Sequence, residues 1–139
     1  MIGREITEPV RLVREDGRLD PASTGWTRRQ LHDTDRIGRG AYGWGRNKRW
    51  EYWGIVTPTH IVALTMAGLD FANVRQLWVL DRATLTAIDG FEIGPLGRGL
   101  RLTGSHGGGV NESRGRALSL RFEDGEAGTV LRADSDRVR

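Results

Sequence analysis

Apolar residues in this chain recur at every second position, and no stretch of ten or more residues carries the three- and four-residue apolar spacing of a helix. Leu118, Leu120 and Phe122 alternate with Ser119, Arg121 and Glu123, which predicts a strand with one dry face and one wet face. The turn Asp124-Gly125-Glu126-Ala127-Gly128 then leads into 129–133, so a hairpin is expected there. Upstream, 50–57 and 60–67 are rich in β-branched and aromatic residues and flank Thr57-Pro58-Thr59, where Pro58 suits the second position of a tight turn. A third strand is read at 76–80, ending at Asp81-Arg82-Ala83-Thr84, where a leading Asp favours a type I turn, and a fourth at 85–88. Twenty glycines agree with many turns, and six of them fall in 97–112, which reads as a loop. The implied fold class is mainly β, an antiparallel meander forming a barrel, a partial barrel or a sandwich.

Few core candidates precede residue 37 beyond Val10, Leu12, Leu19 and Trp26, so 1–36 is read as an extended arm, with Asp16-Gly17 marking one hairpin. The antiparallel β domain is then 37–139. It is expected to be incomplete at its C-terminal end, because the sequence stops directly after a strand with about six strands in hand, fewer than an eight-stranded barrel needs. Exposed strand edges, and pairing through them, are the corollary.

The absence of cysteine excludes disulfides, thiolate metal sites and cysteine nucleophiles. The N-terminal residues lack the apolar core of a signal peptide, and the longest apolar run, 61–69, is far short of the ~20 residues that span a bilayer. A cytoplasmic location is the expectation. A net charge of +3 and a pI near 10.1 raise the possibility of a polyanionic partner, yet the excess is local. Residues 26–53 hold seven basic against three acidic residues, which leaves the rest of the chain at −1. Of the 21 basic residues 20 are Arg along the whole length, a compositional habit rather than a phosphate-binding signature.

Gly38-Arg39-Gly40-Ala41-Tyr42-Gly43 matches GxGxxG, but the motif needs a strand before it and a helix after it, and here a polar segment precedes and an aromatic run succeeds it. His32, His60 and His106 are too scattered for a metal site, and His32-Asp33-Thr34-Asp35 offers no complete ligand set. Ser105-His106 lies in the glycine loop without a nucleophile-elbow pattern. Neither metal nor other cofactor is implied.

The densest chemistry lies in Gly43-Trp44-Gly45-Arg46-Asn47-Lys48-Arg49-Trp50-Glu51-Tyr52-Trp53-Gly54, which holds three of the five tryptophans and the only lysine. On a strand, Trp50, Tyr52 and Gly54 share one face, and Glu51, Trp53 and Ile55 the other. Apolar groups on both sides predict a strand covered on each face, with Arg46 and Arg49 lying over indole rings. One reading makes Trp50, Tyr52, Trp53 and Trp78 the apolar wall of a ligand pocket and Arg46, Lys48 and Arg49 its polar rim. The other makes the same stretch a single-stranded nucleic-acid module in which bases stack on the rings and the cations take phosphates. A truncated piece without function of its own is the third.

The ordered blocks EITEPV, DGRLDPASTGWTRRQLH, GRNKRWEYW, TPTHIVALTMAGLD, LWVLDRAT and PLGRGL resemble the bacterial family DUF2804, over about residues 4–102. The segment 38–43 is longer than the family pattern before GRNKRWEYW, and family members are longer than this chain, so the resemblance implies an N-terminal portion. It carries no assigned reaction. The pattern is also distantly similar to the lipocalin- and calycin-like barrels that include tocopherol cyclase and carotenoid hydratase, which hold isoprenoids. That likeness implies a hydrophobic, lipid- or isoprenoid-like ligand framed by Lys48, Arg49, Trp50, Tyr52 and Trp53. Whether the chain is an enzyme is left open. Asp81 and His60, at strand ends, are the candidate catalytic groups, since protonating an alkene needs only one acid in a dry pocket.

Overall fold

The computed structural model describes residues 3–105 and 109–136. The described residues form ten strands: β1 (Val10–Arg11), β2 (His32–Asp33), β3 (Lys48–Val56), β4 (His60–Leu69), β5 (Ala72–Asp81), β6 (Ala87–Pro95), β7 (Leu100–Arg101), β8 (Val110–Arg114), β9 (Leu118–Gly125) and β10 (Gly128–Ser135). Besides strands the described residues hold one 3-10 turn, Pro21–Ser23, capped by the Asp20 carboxylate on the Ala22 amide at 2.9 Å. No helix among the described residues is long and apolar enough to cross a membrane. Strands β3-β4-β5-β6 make one antiparallel sheet and β7-β8-β9-β10 a second, while β1 and β2 pair in parallel within the arm. The fold is mainly β and antiparallel, and the two large sheets do not close into a continuous barrel.

Register decides which residues meet. Trp53 pairs with Leu64 and Leu64 with Leu77, so these three point to the same side of the first sheet. Leu64, Met66 and Leu77 pack there against Leu118, Leu120 and Phe122 of β9, all buried, with Trp53, Val62, Val79, Leu100, Leu102 and Leu131 around them. Each such side chain contributes roughly 1.5–3 kcal/mol by leaving water. The alternation expected at Leu118, Leu120 and Phe122 is what the structure has, as is the hairpin of β9 and β10. The turn after β5 is also as read: the Asp81 carboxylate accepts the Ala83 and Thr84 amides at 2.8 and 3.0 Å.

Several elements differ from the sequence reading. Strand β5 starts at Ala72 rather than 76, and β6 runs on to Pro95 rather than ending at 88. Leu85 lies in the turn with φ 57° instead of opening a strand. The glycine-rich stretch contains β7 and most of β8. Apart from the two-residue β7, whose inward residue is Leu100, the missed segments share a cause, which is that their inward positions carry polar residues or glycine. Arg75, 1% exposed, donates from Nε to Ser113 Oγ at 2.9 Å, from Nη2 to Asn73 Oδ1, and pairs through Nη1 with Glu92 Oε1 at 3.2 Å. Glu92 also accepts the backbone N–H groups of Arg116, Ala117 and Leu118 at 2.8, 3.0 and 3.0 Å. The space between the sheets therefore has an apolar end and a fully hydrogen-bonded ionic end.

The arm folds on itself through a Val13–Leu19 bridge across the Asp16-Gly17 turn and a Glu5–Trp26 bridge. It is tied to the segment after β7 by Thr34, whose N–H and hydroxyl both donate to the Gly104 carbonyl, at 2.7 and 3.0 Å. A Cβ on Gly104 would run into Asp33 and Asp35, so glycine is what lets the two segments meet.

Candidate ligand-binding site

The aromatic stretch enters β3 through a loop in which Gly38, Gly40, Gly43 and Gly45 all have positive φ. The glycines of the GxGxxG match thus serve a chain of turns, and they lead into a strand rather than the helix N-terminus that a pyrophosphate would need. Asp70, just past β4, fastens this loop: its Oδ2 accepts the Gly45 N–H at 2.5 Å and the Asn47 N–H at 3.1 Å, and both oxygens accept from the Asn47 side-chain amide. The loop is therefore held against the Lys48 end of the first sheet.

Strand β3 divides its side chains strictly. Arg49, Glu51, Trp53 and Ile55 turn toward the second sheet, while Lys48, Trp50, Tyr52 and Val56 turn outward. Arg49 does not stack on an indole. Its Nη2 donates to the carbonyls of Leu102 and Thr103 at 3.2 and 2.8 Å, joining β3 to the segment after β7. Partial burial lowers the Arg49 pKa and Arg39 adds to this, whereas Asp35 and Asp33 act in the opposite direction; the guanidinium remains a cation throughout. Glu51 accepts Trp53 Nε1–H at 2.7 Å and the Asn111 side-chain amide, whose Oδ1 accepts the Thr103 N–H at 2.5 Å. The rings that do carry a guanidinium are Tyr42, under Arg18, and Trp26, under Arg28, at 5.5 and 5.2 Å.

Two clefts share Arg49 and Leu102. One, of about 300 Å³, lies along the β3 edge among Trp50, Glu51, Tyr52, Thr103 and Asn111. The other, of about 430 Å³, opens at the end of the first sheet. Trp44, Leu69, Leu96, Leu100 and Leu102 supply its apolar wall, and Arg39, Lys48, Arg49 and Arg101 stand against Asp35 and Asp70 as its charged groups. Both volumes fall within or near the low end of the ~300–1,000 Å³ range of ligand pockets.

The outward face of the first sheet adjoins the larger cleft at Lys48 and Leu69, which are register partners. Across β3-β4-β5-β6, its rows are Trp50–Ala67–Val74–Ile93, Tyr52–Thr65–Gln76–Phe91, Gly54–Ala63–Trp78–Asp89 and Val56–Ile61–Leu80–Ala87. Lys48 and Asp89 are the only charged residues at these outward strand positions. Trp50 is 66% exposed and Tyr52 58%, so β3 is covered on one face only, not on both as its composition suggested. Small residues, Ala63, Thr65 and Ala67, run down β4 between the rings of β3 and Trp78 with Val74 on β5. At ~4.8 Å between strands, this leaves a shallow trough about 10 Å from wall to wall.

Trp50, Tyr52 and Trp78 are thus brought to one face, with Lys48 at its corner and Arg49 beside it in the clefts. Trp53 lies on the opposite side, in the core, and Arg46 is exposed in the loop and lines neither cleft. His60 and Asp81 are register partners at the far end of the sheet and line neither cleft. The His60 ring is 2.9 Å from Thr59 Oγ1. The Asp81 carboxyl is held below its ordinary pKa by the Thr84 and Ala83 amides, with His60 adding a smaller pull. His106 lies outside the described residues. Leu69, Leu96, Leu100, Arg101, Leu102 and Asn111 were not singled out from sequence, because their contribution depends on how the glycine-rich stretch folds back beside β3.

Comparison with curated proteins and with solved structures finds no match. Among protein families, the one described as "Domain of unknown function (DUF2804)" has a model that matches residues 3–139. The chain belongs to that family.

Proposed function

We propose that this protein binds a hydrophobic small molecule, lipid- or isoprenoid-like, along the outward face of the first sheet and into the cleft at its Lys48 end. Trp50, Tyr52 and Trp78 are the apolar wall and Lys48 and Arg49 the polar rim. The observation that carries the reading is the contrast between the two outward faces. The second sheet presents an ionic ladder, in which Glu112 pairs with Arg114 and Arg121, and Glu123 with Arg121 and Arg132. The first presents rings, Val, Ile and Ala, a contiguous apolar surface of the kind soluble proteins keep for a bound partner or ligand. The trough over β4 has the width of one extended hydrocarbon chain with its contacts. Titration with a neutral long-chain alcohol such as dodecanol, followed by tryptophan emission, is the direct test. Saturable change is expected, and Trp50→Ala with Trp78→Ala should weaken binding by about tenfold or more. Emission that stays flat up to the solubility limit sinks the reading.

A single-stranded nucleic-acid reading draws on the exposure of Trp44, Trp50 and Tyr52. It gains little from the cations, because Arg49 is engaged with carbonyls and the ring-bearing face carries only Lys48 to meet a phosphate. Oligothymidylate binding that falls steeply with added salt would favour it over the hydrophobic ligand.

A further inference from the structure

We infer that the Lys48 end of the first sheet docks on an anionic lipid bilayer. Three loops meet at that end: 43–47, which leads into β3, the turn 70–71 between β4 and β5, and 96–99 after β6. Printed hydrogen bonds tie them to one another. Asp70 Oδ2 accepts the N–H groups of Gly45 and Asn47 at 2.5 and 3.1 Å, and the Leu96 N–H donates to the Phe71 carbonyl at 3.1 Å. The third loop is fixed in turn by the buried Asn73, whose side-chain amide donates to the Arg98 carbonyl at 3.1 Å. Each loop carries one large apolar residue that stands in water: Trp44 is 64% exposed, Phe71 54% and Leu96 70%. Cations are interleaved with them. Arg46, Lys48 and Arg98 are exposed, and among the described residues their side chains make no ion pair or hydrogen bond. Asp70 is the one acid in the three loops, and it is occupied by the loop amides, so this end is net positive.

The opposite end of the same sheet shows that this composition is not what turns here require. In its turns, 57–59 and 82–86, Leu85 is the one large apolar residue, and the one arginine, Arg82, donates to the Thr57 and Pro58 carbonyls at 2.9 and 3.2 Å. Apolar groups on three separate tips do not make a groove for a peptide. They suit a fluid surface, in which an indole, a phenyl ring and an aliphatic chain each enter the boundary between headgroups and acyl chains. The long stems of Arg46, Lys48 and Arg98 let their charged heads stay level with the phosphates. Near an anionic leaflet each such cation strengthens binding by about fivefold. The larger cleft opens at the same end and is bordered by Trp44, Lys48 and Leu96, so docking would pass a lipid-like ligand into it without a journey through water. The docking itself does not depend on that ligand.

Co-sedimentation of the full chain with vesicles of phosphatidylcholine, alone or with about a third phosphatidylglycerol, is the test. Binding is expected to the mixed vesicles and to be weak on phosphatidylcholine alone, and it should fall as salt is added. Arg46→Gln with Arg98→Gln should lower partitioning by about thirtyfold at low salt. Phe71→Ser should lower it by about tenfold at any salt concentration. Both variants are first verified as folded by circular dichroism. Brominated lipid should quench tryptophan emission in the parent, and much less in Trp44→Phe. Phe71→Ser should still bind dodecanol and dodecanoate in solution as the parent does, since Phe71 lies outside the ligand site. Absence of vesicle binding alongside normal dodecanol binding overturns the docking and leaves the ligand reading intact. Vesicle binding that survives both variants places the contact elsewhere and overturns it too. Vesicles ignored while oligothymidylate is held through Arg46 and Arg98 would give this end to a nucleic acid instead.

Discussion

Arg75 is the residue whose surroundings are most demanding. A guanidinium with 1% exposure has lost nearly all of its water, and the protein replaces that water with Ser113, Asn73 and Glu92. Gly115 is part of the arrangement, since a Cβ there would overlap both Arg75 and Glu92. Burial works to raise the Glu92 pKa, but three backbone amides and Arg75 together outweigh it and hold the carboxyl below its ordinary value. A carboxyl whose folded pKa is depressed adds stability that is present above its unfolded pKa, ordinarily about 4.3, and is lost as pH falls through the folded value. Urea midpoints are therefore expected to decline as pH drops from about 5 toward 3, and the Glu92→Gln variant should lack that component of the decline. Glu92→Ala, which strands a buried cation, should cost about 3 kcal/mol at neutral pH. A variant as stable as the parent would show that the ionic end contributes nothing.

At the scale of the element, alternation identifies a strand only where the inward side chains are apolar. Strand β9 satisfies that condition and was legible with its hairpin. Strand β8 places Asn111 and Ser113 inward, β5 begins with inward Asn73 and Arg75, and β6 ends with inward Glu92 and Gly94, so these segments read as loop or were cut short. Their polar residues are dry because they satisfy one another across elements that are far apart in sequence, and no local pattern encodes that. The same limit applied to the site. That Trp50 and Tyr52 share a face followed from the strand period. That the face is bare, and that Trp78 stands on it across β4, followed only from register. Position on these elements therefore matters more than residue type for stability. Trp50→Ser on the open face should change folding free energy by no more than about 0.5 kcal/mol. Ser113→Ala, a far smaller change, should cost about 1–3 kcal/mol because it leaves a buried donor of Arg75 unpaired. Equilibrium denaturation of both variants decides it, and a reversed order would mean that the outward face is packed in solution.

At the scale of the molecule, the described chain has two unlike sides, an ionic ladder on the second sheet and apolar rings on the first. Strands β3, β6 and β10 also end their sheets with unpaired edges. A body of this kind buries its apolar side against whatever is available, and in a pure solution that is another copy of itself. Self-association and ligand binding then draw on one surface and must compete. Sedimentation velocity should show a mean mass that rises with protein concentration, and saturating dodecanoate should return the protein toward the monomer. Trp50→Glu with Phe91→Glu, which puts charge on the two edge strands of the outward face, should leave it monomeric at every concentration tested. Association that persists unchanged in that variant would locate the contact at the strand edges instead, where backbone N–H and C=O groups rather than rings make the join. Association abolished by the two glutamates yet indifferent to dodecanoate would give the face to a protein partner and take it away from the ligand.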